Sequence, residues 1–167
     1  MDVYEAIQKR RSIRKYTKQP VENEKLQKIL DAARLGPSAA NIQPCHLIVV
    51  TDLSTLKEAY KAEWFQQAPT AIVVCASEKA SWKRSDGLNY WIVDASIAMQ
   101  NIILEATELG LGTCWIGAFD EGKLRKALNI PKDYKIVAMT PIGYAAEQKE
   151  PATDRKPLNT ILHKEKW

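Results

Sequence analysis

One long amphipathic segment constrains this chain more than anything else in its sequence. Ile92, Ala95, Met99, Ile102, Ile103, Ala106 and Leu109 follow i, i+3, i+4, i+7 spacing. That spacing lines them along one face of a helix of about five turns. Gly110 and Gly112 close it, because glycine accepts the backbone that ends a helix. Such a helix must lie on an apolar surface, and short runs at residues 47–50, 70–75, 113–116 and 136–142 read as the buried strands that supply one. Further helices are expected behind Asp2 (Val3, Ala6, Ile7), after Pro20 (Leu26, Ile29, Leu30, Ala33), after Asp52 (Leu53, Leu56, Ala59) and after Asp120 (Leu124, Ala127, Leu128). Gly36-Pro37 stops the second of these. Residues 78–90 lack periodicity and read as a loop. Helices alternate with strands, so they should cover both faces of one sheet, whose strand directions the pattern does not reveal. Four short strands make a thin core for this much apolar helix, so a second subunit is expected to cover the excess.

At 167 residues the chain fits one domain, residues 1–167. No apolar run has the length of a bilayer, and Met1-Asp2-Val3-Tyr4 does not open like a signal peptide. Cys45, Cys75 and Cys114 are odd in number, widely spaced and form no CxxC pair. Reduced cytoplasmic thiols are expected, not a disulfide framework or a zinc site. His46 and His163 are too far apart in sequence to suggest a metal. The net charge of +4 is mild but concentrated. Lys9, Arg10, Arg11, Arg14, Lys15 and Lys18 crowd one end, and Arg155, Lys156, Lys164 and Lys166 the other. The pattern suits a shared anion site or solvated tails. A nucleic-acid partner is not expected, because the interleaved aromatics of single-strand binders are missing.

Four segments carry the chemistry. In Arg10-Arg11-Ser12-Ile13-Arg14, the residues Arg10, Ser12 and Arg14 alternate. In an extended chain they would point the same way, as converging donors for a phosphate. The plain alternative is a solvated basic loop. Between Pro37 and Pro44, Ser38, Asn41 and Gln43 stand among small residues, either as a loop that presses on a flat ligand or as an ordinary connection. Residues 110–120 place glycines around a buried strand with a helix following, so Gly117 permits close backbone approach to a ligand. The spacing is not that of a dinucleotide fingerprint. Arg155-Lys156-Pro157-Leu158, alone, reads as a solvated basic tail.

Taken together, the segments RRSIRKY, GPSAANIQP, LGLGTCWIG, TPIGY and RKPL, in that order behind an amino-terminal helix, resemble the nitroreductase family of flavoproteins over nearly the whole chain. The resemblance implies an α+β fold, a three-layer α/β/α sandwich with a mostly antiparallel central sheet, built as an intertwined homodimer with FMN at the interface. It implies that Arg10, Ser12 and Arg14, with Arg11 close by, hold the phosphate and ribityl chain, joined by Arg155 and Lys156. Pro37, Ser38, Ala39, Asn41 and Gln43 would reach the flavin ring from the other subunit. Trp115, Ile116, Gly117 and Ala118 would lie along the ring, the Gly117 backbone near its reactive nitrogen, supported by residues 140–143. Ala39 and Ala40 stand where many relatives have glycines, and Cys45-His46 where an aromatic residue often follows the proline.

No acid–base pair or nucleophile stands out, and a flavin needs none. The implied activity is ping-pong electron transfer from NADH or NADPH to small acceptors such as nitroaromatics or quinones. The alternatives are a flavoenzyme of the same fold with another task (dehalogenation, ring oxidation, flavin fragmentation) and a flavin-binding protein without turnover. Residues 61–91 are rich in aromatics and expected to set substrate choice, with Trp82 the best candidate because its neighbours are polar.

Overall fold

The long helix forms where its spacing puts it. In the computed structural model, which describes residues 1–167, α3 runs Trp91–Glu108 and buries Ala95, Ala98, Met99, Ile102, Ile103 and Ala106. It is preceded by α1 (Val3–Lys9) and α2 (Asn23–Arg34) and followed by α4 (Glu121–Ala127). The strands are β1 (Cys45–Val50), β2 (Thr70–Ser77), β3 (Gly112–Thr113) and β4 (Tyr134–Gly143). They form one sheet in the order β1-β2-β4-β3, with every strand pair antiparallel.

Strand alternation divides the core into two layers. On one face of β2, Ile72, Val74 and Ala76 pack with Ile29 of α2 and with Met99 and Ile102 of α3. On the other, Ala71, Val73 and Cys75 meet Leu53, Leu56, Phe65 and Leu124 of α4. The result is the expected α+β sandwich. Ile72, Val74, Met99 and Ile102 are each 0% exposed, which stabilises the packing by about 1.5–3 kcal/mol per side chain. A bulge adjusts the register: Val74 pairs with Ala138 and Cys75 with Ile136, which leaves Val137 over. Ile136 and Ala138 therefore join opposite layers, although strict alternation would give them one face.

Four elements differ from the sequence-based expectation. The third strand is shorter than 113–116, because the Cys114 N–H donates to the Thr140 hydroxyl (3.2 Å) and leaves the backbone ladder. Pairing resumes once, between Ile116 and Met139. The helix expected after Asp52 is a 3-10 turn, Leu53–Leu56. There the Ser54 hydroxyl donates to Asp52 Oδ1 (2.6 Å) and the Thr55 hydroxyl to the Asp52 carbonyl (2.8 Å), local bonds that compete with a longer helix. Residues 78–90 contain a small hairpin, with Lys83 bridged to Asn89. The aromatic stretch 61–91 is also not one connection, because β2, buried throughout, runs through its middle.

Considerable apolar surface stays uncovered. Val3 and Ile7 of α1 are 72% and 51% exposed, and Ile92 and Val93 of α3 are 48% and 38% exposed. Leu158, Ile161 and Leu162 of the exposed tail add to it. No helix is long and apolar enough to cross a membrane.

Candidate functional site

The first basic segment is laid along the edge of the sheet. α1 ends at Arg10, whose N–H returns to the Ala6 carbonyl (3.0 Å). The chain then extends beside β3, with Ser12 bridged to Thr113 in parallel and the Ile13 N–H donating to the Thr113 carbonyl (2.8 Å). Gly112 lets the two backbones meet, since a Cβ there would lie 2.9 Å from Ile13 Cγ1. Ile13 turns inward and is buried, while Arg14 is exposed. The guanidinium carbon of Arg14 sits 5.9 Å from the centre of the Trp64 ring, within cation–π range. Trp64 is in turn set edge-on to Tyr60 and Phe65. The Arg10 and Arg14 guanidinium groups and the Ser12 hydroxyl make no hydrogen bond within the chain. Three donor side chains thus lie within five consecutive residues, without protein acceptors.

Residues 144–150 run back across this segment as a strap. The Thr17 N–H donates to the Tyr144 carbonyl and the Ala146 N–H to the Lys15 carbonyl, both at 2.9 Å. The Arg14 N–H donates to Glu147 Oε1 (2.6 Å), Lys149 Nζ to the Ser12 carbonyl (2.7 Å), and Arg11 to the Glu150 carbonyl. Lys149 also pairs with Glu147 at 3.2 Å. The Arg14 N–H, first, and then Lys149 hold the Glu147 carboxyl below its ordinary 4.5. Beyond the strap, Arg155 pairs with its neighbour Asp154 at 3.1 Å, and both Arg155 and Lys156 are exposed. The strap starts the basic tail beside Arg11, and the Arg155 guanidinium hydrogen-bonds only to its own neighbour Asp154.

The third segment follows β3 along the same edge. After Ile116 exchanges hydrogen bonds with Met139 (2.9 and 3.0 Å), the chain leaves the sheet. Gly117 and Ala118 are exposed, and their N–H groups have no acceptor in the chain. A Cβ on Gly117 would meet nothing within 4 Å. Trp115 is 39% exposed beside them. Asp120 then caps α4 by accepting from the Lys123 N–H (2.9 Å). This edge therefore offers an open backbone shelf with unused donors next to the basic segment.

The Pro37–Gln43 loop lies elsewhere. It leads into β1, on the opposite edge of the sheet from β3. Three strand spacings, about 14 Å, separate the edges. Cys45 pairs with Ala76, whereas the β3 residue Thr113 is level with Thr70 through Ile142. Six residues along the strand add about 20 Å. One chain does not bring Ser38, Ala39, Asn41 and Gln43 to Arg10, Ser12, Arg14 and Gly117. The loop is tightly wound, with positive φ at Ala40 (52°), Asn41 (55°) and Gln43 (56°). The left-handed backbone costs an L residue about 1–2 kcal/mol. The Gln43 N–H donates to Ser38 Oγ (2.9 Å) and the Asn41 N–H to the Ser38 carbonyl (2.9 Å). The Ala39 N–H donates to Oδ1 of Asp94, a carboxylate only 2% exposed (3.0 Å). Cys45 follows, its thiol pushed up to about 11 by burial and by the Asp94 charge.

Two residues escaped the sequence reading. Asp94 is the one acidic residue on the buried face of α3, and that interruption was its only sequence signal. Trp64 was counted only among the aromatics of residues 61–91, and its place under Arg14 exists only in the fold. Trp82 is half-buried in the 82–90 hairpin, its ring edge-on to Tyr90 at 4.8 Å.

Comparison with known proteins gives a consistent picture. Residues 2–167 match the family model described as "Putative TM nitroreductase". A Methanothermobacter thermautotrophicus protein named "Putative NADH dehydrogenase/NAD(P)H nitroreductase" is 40% identical, over 100% of this chain and 88% of its own length. The crystal structure of a nitroreductase family protein from Clostridium difficile 630 superposes with a TM-score of 0.90 at 34% identity, covering 100% of both chains. An FMN-dependent nitroreductase from Clostridium difficile R20291 superposes with a TM-score of 0.84 at 36% identity, covering 97% of this chain and 98% of its own.

Proposed function

The chain belongs to the nitroreductase family, and from that premise we propose that it is a single-domain, FMN-dependent oxidoreductase that passes electrons from NADH or NADPH to small acceptors such as nitroaromatics or quinones. The observation that carries this reading is the β3 edge. Unused guanidinium and hydroxyl donors at Arg10, Ser12 and Arg14 adjoin unused backbone N–H groups at Gly117 and Ala118. Such a donor set suits a ligand with a phosphate at one end and a flat, acceptor-rich ring at the other. A bound FMN supplies the hydride and electron chemistry.

The residues of the chain bind and orient. Arg10, Ser12 and Arg14 donate to the phosphate and ribityl chain, with Arg11 beside them. Trp115, Ile116, Gly117 and Ala118 would line the ring, and the Ile116–Met139 bridge fixes the backbone from which the Gly117 N–H would reach its reactive nitrogen. Pro37, Ser38, Ala39, Asn41 and Gln43 serve the site of a second subunit. The separation of the two edges, and the uncovered apolar faces of α1 and α3, support a homodimer. Arg155 and Lys156, on a tail that leaves beside Arg11, complete the anion site when Arg155 exchanges Asp154 for phosphate. Trp82 contributes to acceptor choice. Three free cysteines fit the cytoplasm as the working compartment.

Steady-state kinetics on FMN-loaded protein test the activity. Parallel double-reciprocal lines for nicotinamide against acceptor are expected, and intersecting lines contradict the shared, alternately occupied site. In the Trp82→Ala variant the ranking of acceptors should change while flavin content holds. Loss of flavin would instead assign Trp82 to the core.

A further inference from the structure

The Asp94 carboxylate is buried, yet only one of its oxygens has a partner. Oδ1 accepts from the Ala39 N–H at 3.0 Å, and Oδ2 is buried without a hydrogen bond. Asp94 lines a cavity of about 160 Å³ with Arg34, Ser38, Gln43 and Cys45, but Oδ2 itself is closed off from it. A half-satisfied buried carboxylate is costly, and an apolar residue would pack as well among Ala95, Ala98 and Met99. One feature makes the charge tolerable: Asp94 sits in the first turn of α3, where the helix dipole favours an anion.

The loop that Asp94 reaches is the strained one. Ala40, Asn41 and Gln43 all have positive φ, and the other side-chain bonds of residues 38–43 stay inside the loop. Apart from the Ser77 N–H that reaches the Pro44 carbonyl at the loop's end (3.0 Å), the Asp94–Ala39 bond is the one hydrogen bond that ties residues 38–43 to another element. We infer that Asp94 is a positioning residue for flavin binding: its carboxylate anchors the loop at Ala39 and so presents Ser38, Asn41 and Gln43 to the flavin of the partner subunit. The inference rests on the function proposed above, and it assigns the work to the acceptor oxygen, not to the negative charge. Asn carries the same acceptor oxygen on the same frame, so Asp94→Asn keeps the anchor and Asp94→Ala removes it.

Two readouts on the full-length protein test this: amide hydrogen exchange across residues 38–43, and FMN affinity from quenching of flavin fluorescence. In Asp94→Ala, exchange of the Ala39 and Asn41 amides should accelerate and FMN affinity should fall about ten-fold. In Asp94→Asn both should stay within about three-fold of the parent. Unchanged exchange and affinity in Asp94→Ala would overturn the inference. So would an Asp94→Asn protein as impaired as Asp94→Ala, since the charge would then be what matters. If Asp94→Ala does not fold, Asp94→Asn decides: protection at Ala39 supports the anchor, and its loss overturns it. Failure of the parent protein to bind FMN would sink the proposed function and with it the flavin role of Asp94, while the exchange comparison would still report on the anchor itself.

Discussion

Arg14 occupies the most revealing position in the molecule. Its backbone is pinned by Glu147, and its guanidinium lies over Trp64 and pairs with no carboxylate. A surface arginine that served stability would ordinarily have found an acidic partner, as Arg34, Arg84 and Arg125 have. Replacing Arg14 with alanine removes a charged hydrogen bond worth about 1.5–3 kcal/mol if the group meets phosphate. FMN affinity should then fall roughly ten- to a hundred-fold, measured by flavin fluorescence titration. Unchanged affinity would make Arg14 a solvated residue that stacks on Trp64. The candidacy of Arg10, Ser12 and Arg14 was legible in the sequence because alternation alone defines an extended donor row. Trp64 and Asp94 were not legible: each acquires its role from a neighbour 50 or more residues away, and no local pattern encodes such a pairing.

Among the elements, the strap at residues 144–150 has the clearest consequence. It fixes residues 11–17 through backbone bonds and through Glu147 and Lys149. The Glu147 carboxyl titrates below its ordinary 4.5 in the folded chain. A carboxylate depressed in this way contributes stability fully above its unfolded value, and loses it as pH falls through the folded one. The strap should therefore hold unchanged at neutral pH and loosen as pH drops below about 4.5. Limited proteolysis across that range should show cleavage near residue 150 accelerating in the parent protein and already fast at neutral pH in Glu147→Ala. A parent protein with pH-independent cleavage would contradict the assignment. Four of the five expected helices were readable to within a few residues: α3 begins one residue before Ile92, and Asp2 and Asp120 cap α1 and α4 by accepting from the Glu5 and Lys123 N–H groups. The fifth, after Asp52, was not, because a cap and three apolar residues do not distinguish a 3-10 turn from an α-helix. The end of β3 was not readable, because a single hydroxyl from β4, that of Thr140, diverts the Cys114 N–H from the ladder. The 82–90 hairpin stayed hidden because its pairing rests on one bridge between polar residues.

At the scale of the whole molecule, the proposed dimer makes each chain half of two sites. The donor edge at β3 and the wound loop before β1 lie at opposite corners of the sheet, and a two-fold axis is the simplest operation that joins one corner to the other. Sedimentation at low micromolar concentration should show dimer only. A stable monomer that retains flavin would contradict both the shared site and the need to cover Val3, Ile7, Ile92 and Val93. The sequence conveyed the surplus of apolar helix surface, but the separation of the two half-sites required the sheet order, which no short-range pattern reveals. Whether the assembled protein holds a flavin where a nicotinamide can reduce it is read from the visible absorbance of the FMN-loaded protein, titrated without oxygen with NADH and with NADPH, and then with a quinone. At least one nicotinamide should bleach the flavin absorbance within the mixing time, and the quinone should restore it. A bound flavin that neither nicotinamide bleaches would contradict the proposed function.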